Sequence, residues 1–176
     1  MRKGMEKDDQ LGAFEVLFKK LQPALNRYAT FQLGNREEAQ EEAREAVQDA
    51  FINVWNKRDR LVFDETLKAY LYRAVRNHCL NRLKKARLET TEIDERVMAI
   101  PDDNDRDARQ KEEMLASIYR QVDELPGNCK EIFLMSRMEG LSHKEIAEIL
   151  EISPKTVENQ VGIALKKIRK GIFGTE

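Results

Sequence analysis

Five hydrogen-bonding side chains fall within positions 155–160: Lys155, Thr156, Glu158, Asn159 and Gln160. Together they offer an ammonium, a hydroxyl, a carboxylate and two amides, the groups that match base edges in the DNA major groove. Amides fit adenine, ammonium groups fit guanine O6 and N7, and carboxylates accept from the cytosine amino group. The chain has no Gly-rich phosphate loop, no nucleophile elbow and no carboxylate–histidine cluster. The chemistry expected is therefore recognition, not catalysis. His78 and Cys79 are the one tempting catalytic or metal pair. Neighbours on a helix point about 100° apart and no third ligand lies nearby in sequence, so a core histidine and a small buried thiol are expected, with no metal and no cofactor.

Base-reading residues need a rigid element to aim them, and the stretch Leu141–Arg169 supplies the pattern of one. Ile146, Ala147 and Leu150, then Ile152, then Val157, Val161, Ala164, Leu165 and Ile168 give two short helices an inward face each. Ser142 with Glu145 three residues on has the form of a capping box. Ser153 followed by Pro154 has the form of a second helix start. The spacing is that of a helix-turn-helix whose second helix presents 155–160 from its N-terminal end. The competing reading is an ordinary antiparallel helix pair inside an all-helical core.

A second group of polar residues lies on a helix expected from Leu67 to about Ala86. Leu67, Tyr70, Leu71, Ala74, Val75 and His78 fall on one face, and Arg73, Arg76, Asn77 and Lys84 on the opposite one, suited to phosphate contact and base stacking. Before it, a helix starting near Glu37 turns Ala43, Ala46, Val47, Ala50, Phe51, Val54 and Trp55 inward and Glu41, Glu42, Glu45, Gln48 and Asp49 outward. That acidic face is either solvated surface or a docking site. Positions 56–66 read as a loop or a short broken helix. A first helix carries Phe14, Leu17, Phe18, Leu21 and Leu25, with Pro23 kinking or dividing it and Gly34-Asn35 ending it.

Charge is segregated along the chain. Lys plus Arg number 31 and Asp plus Glu 32, so the net charge of -1 decides nothing, yet 57–87 holds ten basic against three acidic residues and 88–110 eight acidic against three basic. The first distribution suits a polyanion. The second, with Pro101 and no apolar stripe, reads as a flexible acidic linker. The expected fold is all-α, with helical domains at 10–87 and 111–173 joined by the linker 88–110. Within the second domain, Met114, Leu115, Ile118, Tyr119, Val122 and Leu125 open the core before a break at Pro126-Gly127. Two distant cysteines and the lack of an apolar span or signal core suggest a reduced, cytoplasmic protein without membrane insertion.

With these residues in order, the chain resembles a sigma-70-family RNA polymerase sigma factor of the small, extracytoplasmic-function (ECF) group. EAREAVQDAFINVWNKRDRL is similar to the family's second conserved region, and LKAYLYRAVRNHCLNRLKK to the helix that follows it. LPGNCKEIFLMSRMEGLSHKEIAEILEISPKTVENQVGIALKKIRK is similar to the fourth. The resemblance implies that Glu45, Gln48 and Asp49 grip the clamp helices of the largest polymerase subunit. It implies that Arg73, Arg76, Asn77 and Lys84 contact the minus-10 element, that the loop near Lys57–Thr66 captures a flipped base, and that Lys155 through Gln160 read the minus-35 element. The implied partners are core RNA polymerase, promoter DNA and an anti-sigma protein, and the linker would pass near the transcript path.

Three departures from the family pattern stand out. The helix entry around 36–43 is about four residues longer than usual. Glu151 stands where the turn often has Gly, at a cost of about 1 kcal/mol if the backbone there is left-handed. Gly162-Ile163 replaces a frequently polar and basic pair. A dimeric helix-turn-helix regulator with a helical sensing domain is the alternative function, distinguishable because it would bind a palindrome without polymerase.

Overall fold

The computed structural model describes residues 7–34, 37–64, 66–89 and 106–174, and among these it contains helices and no strand. The chain divides into two compact units, Met1–Glu95 and Arg96–Glu176.

The first unit is three helices, α1 (Lys7–Leu33), α2 (Glu37–Asn56) and α3 (Thr66–Glu89), with a 3₁₀ turn at Arg58–Arg60. Leu21, Leu25, Tyr28, Ala29 and Leu33 of α1 are buried against Ala39, Ala43, Ala46, Val47, Ala50, Phe51 and Val54 of α2. Four of the seven buried residues on α2 are alanines, and helix packing distance follows the size of the side chains at the contact. An aromatic cluster closes one end: Phe14 lies 5.0 Å from Trp55, 6.0 Å from Phe51 and 6.4 Å from Phe63, ring centre to ring centre.

Pro23 does not divide α1, which is continuous around it. Gly34 follows at φ 104°, a left-handed conformation that favours glycine, and its N–H returns to the Thr30 carbonyl at 2.8 Å. Asn35 lies outside the described residues.

On α3 the buried stripe is Leu67, Ala69, Leu71, Tyr72, Val75 and Cys79. Tyr70, Ala74 and His78, expected inward, are only half-buried. The face is rotated because Tyr72 turns in, its ring 5.4 Å from that of Tyr28 in an edge-on contact. The start of α3 is fixed by Asp64, whose carboxylate accepts the Thr66 amide at 2.9 Å and also the Thr66 hydroxyl. These bonds hold its carboxyl below its ordinary range, the hydroxyl contributing most.

The second unit is α4 (Arg106–Asp123), α5 (Gly127–Arg137), α6 (His143–Leu150) and α7 (Pro154–Phe173). Its core comprises Val122, Leu125, Cys129, Ile132, Phe133, Leu134, Met135, Leu141, Ile146, Ala147, Ile149, Val157, Val161, Ala164 and Ile168. On α7 these recur at i, i+4, i+7 and i+11, one stripe on a 3.6-residue helix, and Leu165 stands a further step round at 39% exposed. On α6 it is Ile149 that turns inward, while Leu150 is half-buried.

Met114 and Leu115 also depart from expectation, being exposed at the outer part of α4, whose full burial begins at Val122. Helix occupies both ends of the expected linker, since α3 reaches Glu89 and α4 starts at Arg106. Positions 90–105, including Pro101, lie outside the described residues.

Candidate nucleic-acid interface

The turn between α6 and α7 is built by caps. Ser142 Oγ accepts the Glu145 amide at 3.2 Å and the Glu145 carboxylate accepts the Ser142 amide at 2.7 Å, the reciprocal pair that satisfies two helix-end donors. Glu151 then leaves α6 at φ 56°, ψ 43°, the left-handed conformation at which glycine is usual, and Ile152 N–H bonds back to the Ala147 carbonyl at 3.0 Å. Ser153 starts α7 by accepting the Thr156 amide at 3.0 Å, with Pro154 in the first turn where a missing N–H costs nothing.

This geometry orients the predicted reading residues unequally. Lys155, Glu158 and Asn159 are exposed on the outer side of α7, and Lys155 Nζ lies 2.8 Å from Glu158 Oε2. Thr156 is exposed, and its hydroxyl lies 2.8 Å from Ser153 Oγ at the cap. Gln160 is half-buried at the edge of the core, and its main-chain carbonyl accepts the Cys129 thiol at 3.4 Å. Burial raises the Cys129 thiol above its ordinary value, with the Lys167 charge acting the other way.

The same outer stripe continues past Gly162, whose Cβ position is open, to exposed Lys166, Arg169 and Lys170. Sequence reasoning did not assign those three. Their spacing from Asn159 in steps of three and four was the available signal. At the far end of α7, a Cβ at Gly171 would meet the amide end of the Gln121 side chain, which would have to swing aside.

In the first unit, Glu45, Gln48 and Asp49 are exposed together on the outer face of α2, and Ile52 extends that face as an exposed apolar residue missed from sequence. Glu42, beside them, is paired with Arg82 of α3, and Glu41 with Arg44 at 2.7 Å. On α3, Asn77 and Lys84 are exposed, whereas Arg73 and Arg76 are half-buried. In the connecting segment the Arg58 guanidinium lies 4.6 Å from the Trp55 ring centre and donates to the Trp55 carbonyl at 2.9 Å. Cation–π contact of this kind pins an otherwise mobile arginine. Cys79 is fully buried beside half-buried His78, and no group of metal-ligating side chains occurs among the described residues.

A helical unit with an acidic exposed helix, followed by a second unit with a capped helix-turn-helix, defines a DNA-binding protein of two modules. Family comparison specifies which one: residues 17–89 match sigma-70 region 2 and residues 115–168 match sigma-70 region 4. The chain belongs to the sigma-70 family, in its ECF group. It is 27% identical over 158 residues to the ECF RNA polymerase sigma factor SigM of Mycobacterium tuberculosis, covering 90% of this chain and 76% of that protein. It is 24% identical over 142 residues to the RNA polymerase sigma-H factor of Pseudomonas aeruginosa, covering 75% and 74%.

Among solved structures, it is similar in fold to RpoE in complex with the anti-sigma factor NepR from Bartonella quintana. The TM-score is 0.67 at 18% identity, over 93% of this chain and 98% of that one. CnrH in complex with the cytosolic domain of CnrY gives a TM-score of 0.59 at 22% identity, over 93% and 89%. Sigma factors direct transcription by RNA polymerase and are not themselves enzymes. No described helix is long and apolar enough to cross a membrane.

Proposed function

We propose that this chain confers promoter specificity on RNA polymerase by reading two separate elements. The observation that carries this reading is the capped start of α7, which turns Lys155, Glu158 and Asn159 outward together while Val157 and Val161 anchor the helix in the core. That arrangement aims donors and acceptors at a major groove, as the minus-35 reading requires. In the first unit, Asn77 and Lys84 with the partly covered Arg73 and Arg76 supply a basic surface for the minus-10 element. The segment after Trp55 stands where capture of an unstacked base is expected. Glu45, Gln48 and Asp49 offer an acidic face to the clamp helices of the core enzyme.

The regulator is proposed to be an anti-sigma protein, supported by the solved relative captured with NepR. Action is placed in the cytoplasm, with the polymerase.

Footprinting tests the two-element reading. Core enzyme plus this chain is expected to protect two dissimilar blocks upstream of a start site, and the chain alone to protect neither at the same concentration. A single palindromic block protected by the chain alone would instead establish the dimeric regulator.

A further inference from the structure

Glu158 is an unusual group to place on a helix that approaches a polyanion. A carboxylate facing phosphates is repelled, and its only attractive partners in the major groove are the amino groups of cytosine and adenine. The structure adds that Glu158 does not act alone, because its Oε2 lies 2.8 Å from Lys155 Nζ on the same outward face. The hydrogen bond from Lys155 and then its charge keep the Glu158 carboxyl below its ordinary range. The charge of His143, at the start of α6, acts in the same sense.

We infer that Lys155 and Glu158 form one composite reader of a single G·C base pair, Lys155 donating to guanine and Glu158 accepting from cytosine. The inference rests on the reading of α7 as the helix that contacts bases. Its geometric basis is a match of spacing. Guanine O6 and cytosine N4 are joined by an N–H···O bond of about 2.9 Å, and both also face the major groove. The acceptor and donor of the base pair thus stand as far apart as the ammonium and carboxylate that would meet them.

The order of groups then selects among base pairs. An ammonium has three donors, of which one is held by Glu158, leaving two for guanine O6 and N7. The composite therefore reads, across the groove, as donor, donor, acceptor. G·C offers acceptor, acceptor, donor in N7, O6 and N4. A·T offers acceptor, donor, acceptor in N7, N6 and O4, followed by the thymine methyl, so Lys155 would lose one of its two base contacts.

The test uses core RNA polymerase with the full chain and a duplex library randomised across the minus-35 region, with sequencing of the bound fraction. The wild-type chain is expected to enrich G·C at one position. E158L, which removes the acceptor, and K155M, which removes the donor, are each expected to lower that preference about tenfold or more, at that same position, while preferences elsewhere persist. A selected duplex carrying 7-deazaguanine at that position should bind the wild-type holoenzyme more weakly and the K155M holoenzyme no differently from guanine. The wild-type comparison probes the unaltered protein, so it does not depend on how either variant folds; equal wild-type affinity for the two duplexes would overturn the composite.

If the wild-type chain enriches no minus-35 sequence, the base-reading role of α7 fails and the composite with it. If a sequence is enriched but the two substitutions relax different positions, all positions alike or none, base reading stands and the composite is overturned.

Discussion

Ser153 and Thr156 are joined twice, by the Thr156 amide donating to Ser153 Oγ at 3.0 Å and by the two hydroxyls 2.8 Å apart. The first bond satisfies a helix-end donor and the second adds a side-chain link across the same turn. Ser153→Ala is therefore expected to destabilise the folded chain by about 1 kcal/mol. Urea unfolding measures it; an unchanged midpoint would show that the turn is held by core packing alone.

Glu151→Gly should do the opposite. The residue holds φ 56° with an L side chain, a conformation that glycine adopts at little cost, and its replacement should stabilise the chain by up to about 1 kcal/mol. Glycine's greater freedom in the unfolded chain works against this gain and sets the ceiling. Comparison of unfolding midpoints for the two chains decides the sign.

Much of the second unit was legible in sequence because its signals are local. Ser142-x-x-Glu145 and Ser153-Pro154 each specify a helix start within four residues, and both caps form as spaced. Glu151 was likewise readable as a departure, and the backbone there is left-handed.

What sequence misplaced depends on partners distant along the chain. The buried face of α3 is turned by Tyr72 meeting Tyr28, and helical period alone cannot say which of two adjacent apolar stripes finds a partner. Leu165 and Met114 look like core residues by type, yet 39% and 43% exposure leaves them at the surface. The Lys155–Glu158 pairing is local and was available from i,i+3 spacing. The contact between the Thr156 and Ser153 hydroxyls, by contrast, is seen only once the cap geometry is known.

Cys129 offers a test of the core beneath α7. Its thiol is buried and its pKa is raised from an ordinary value of 9.0 mainly by burial. A raised thiol pKa favours the neutral form in the folded chain, so this contribution to stability is complete below the unfolded pKa and is lost as pH rises through the higher folded one. At pH 8, iodoacetamide should modify Cys129 far more slowly in the native chain than in urea, because thiolate is the reactive form. Equal rates would mean that the contact with the Gln160 carbonyl opens freely.

Asp49→Arg addresses the polymerase contact. Asp49 is exposed on α2 while its neighbours Ala46, Val47, Ala50 and Phe51 are buried, so the substitution should leave thermal unfolding nearly unchanged. Against a basic partner surface the reversed charge should weaken capture of core enzyme by several kcal/mol. Unchanged capture with unchanged melting would make the acidic face solvated surface and nothing more.

A sigma factor acts by giving RNA polymerase a promoter. Run-off transcription with purified core enzyme, the full chain and a library of genomic fragments measures that directly. Discrete transcripts that require the chain, begin at fixed positions and share two upstream elements are the expected result. An active core enzyme that yields no chain-dependent transcript from any fragment at saturating protein would contradict it.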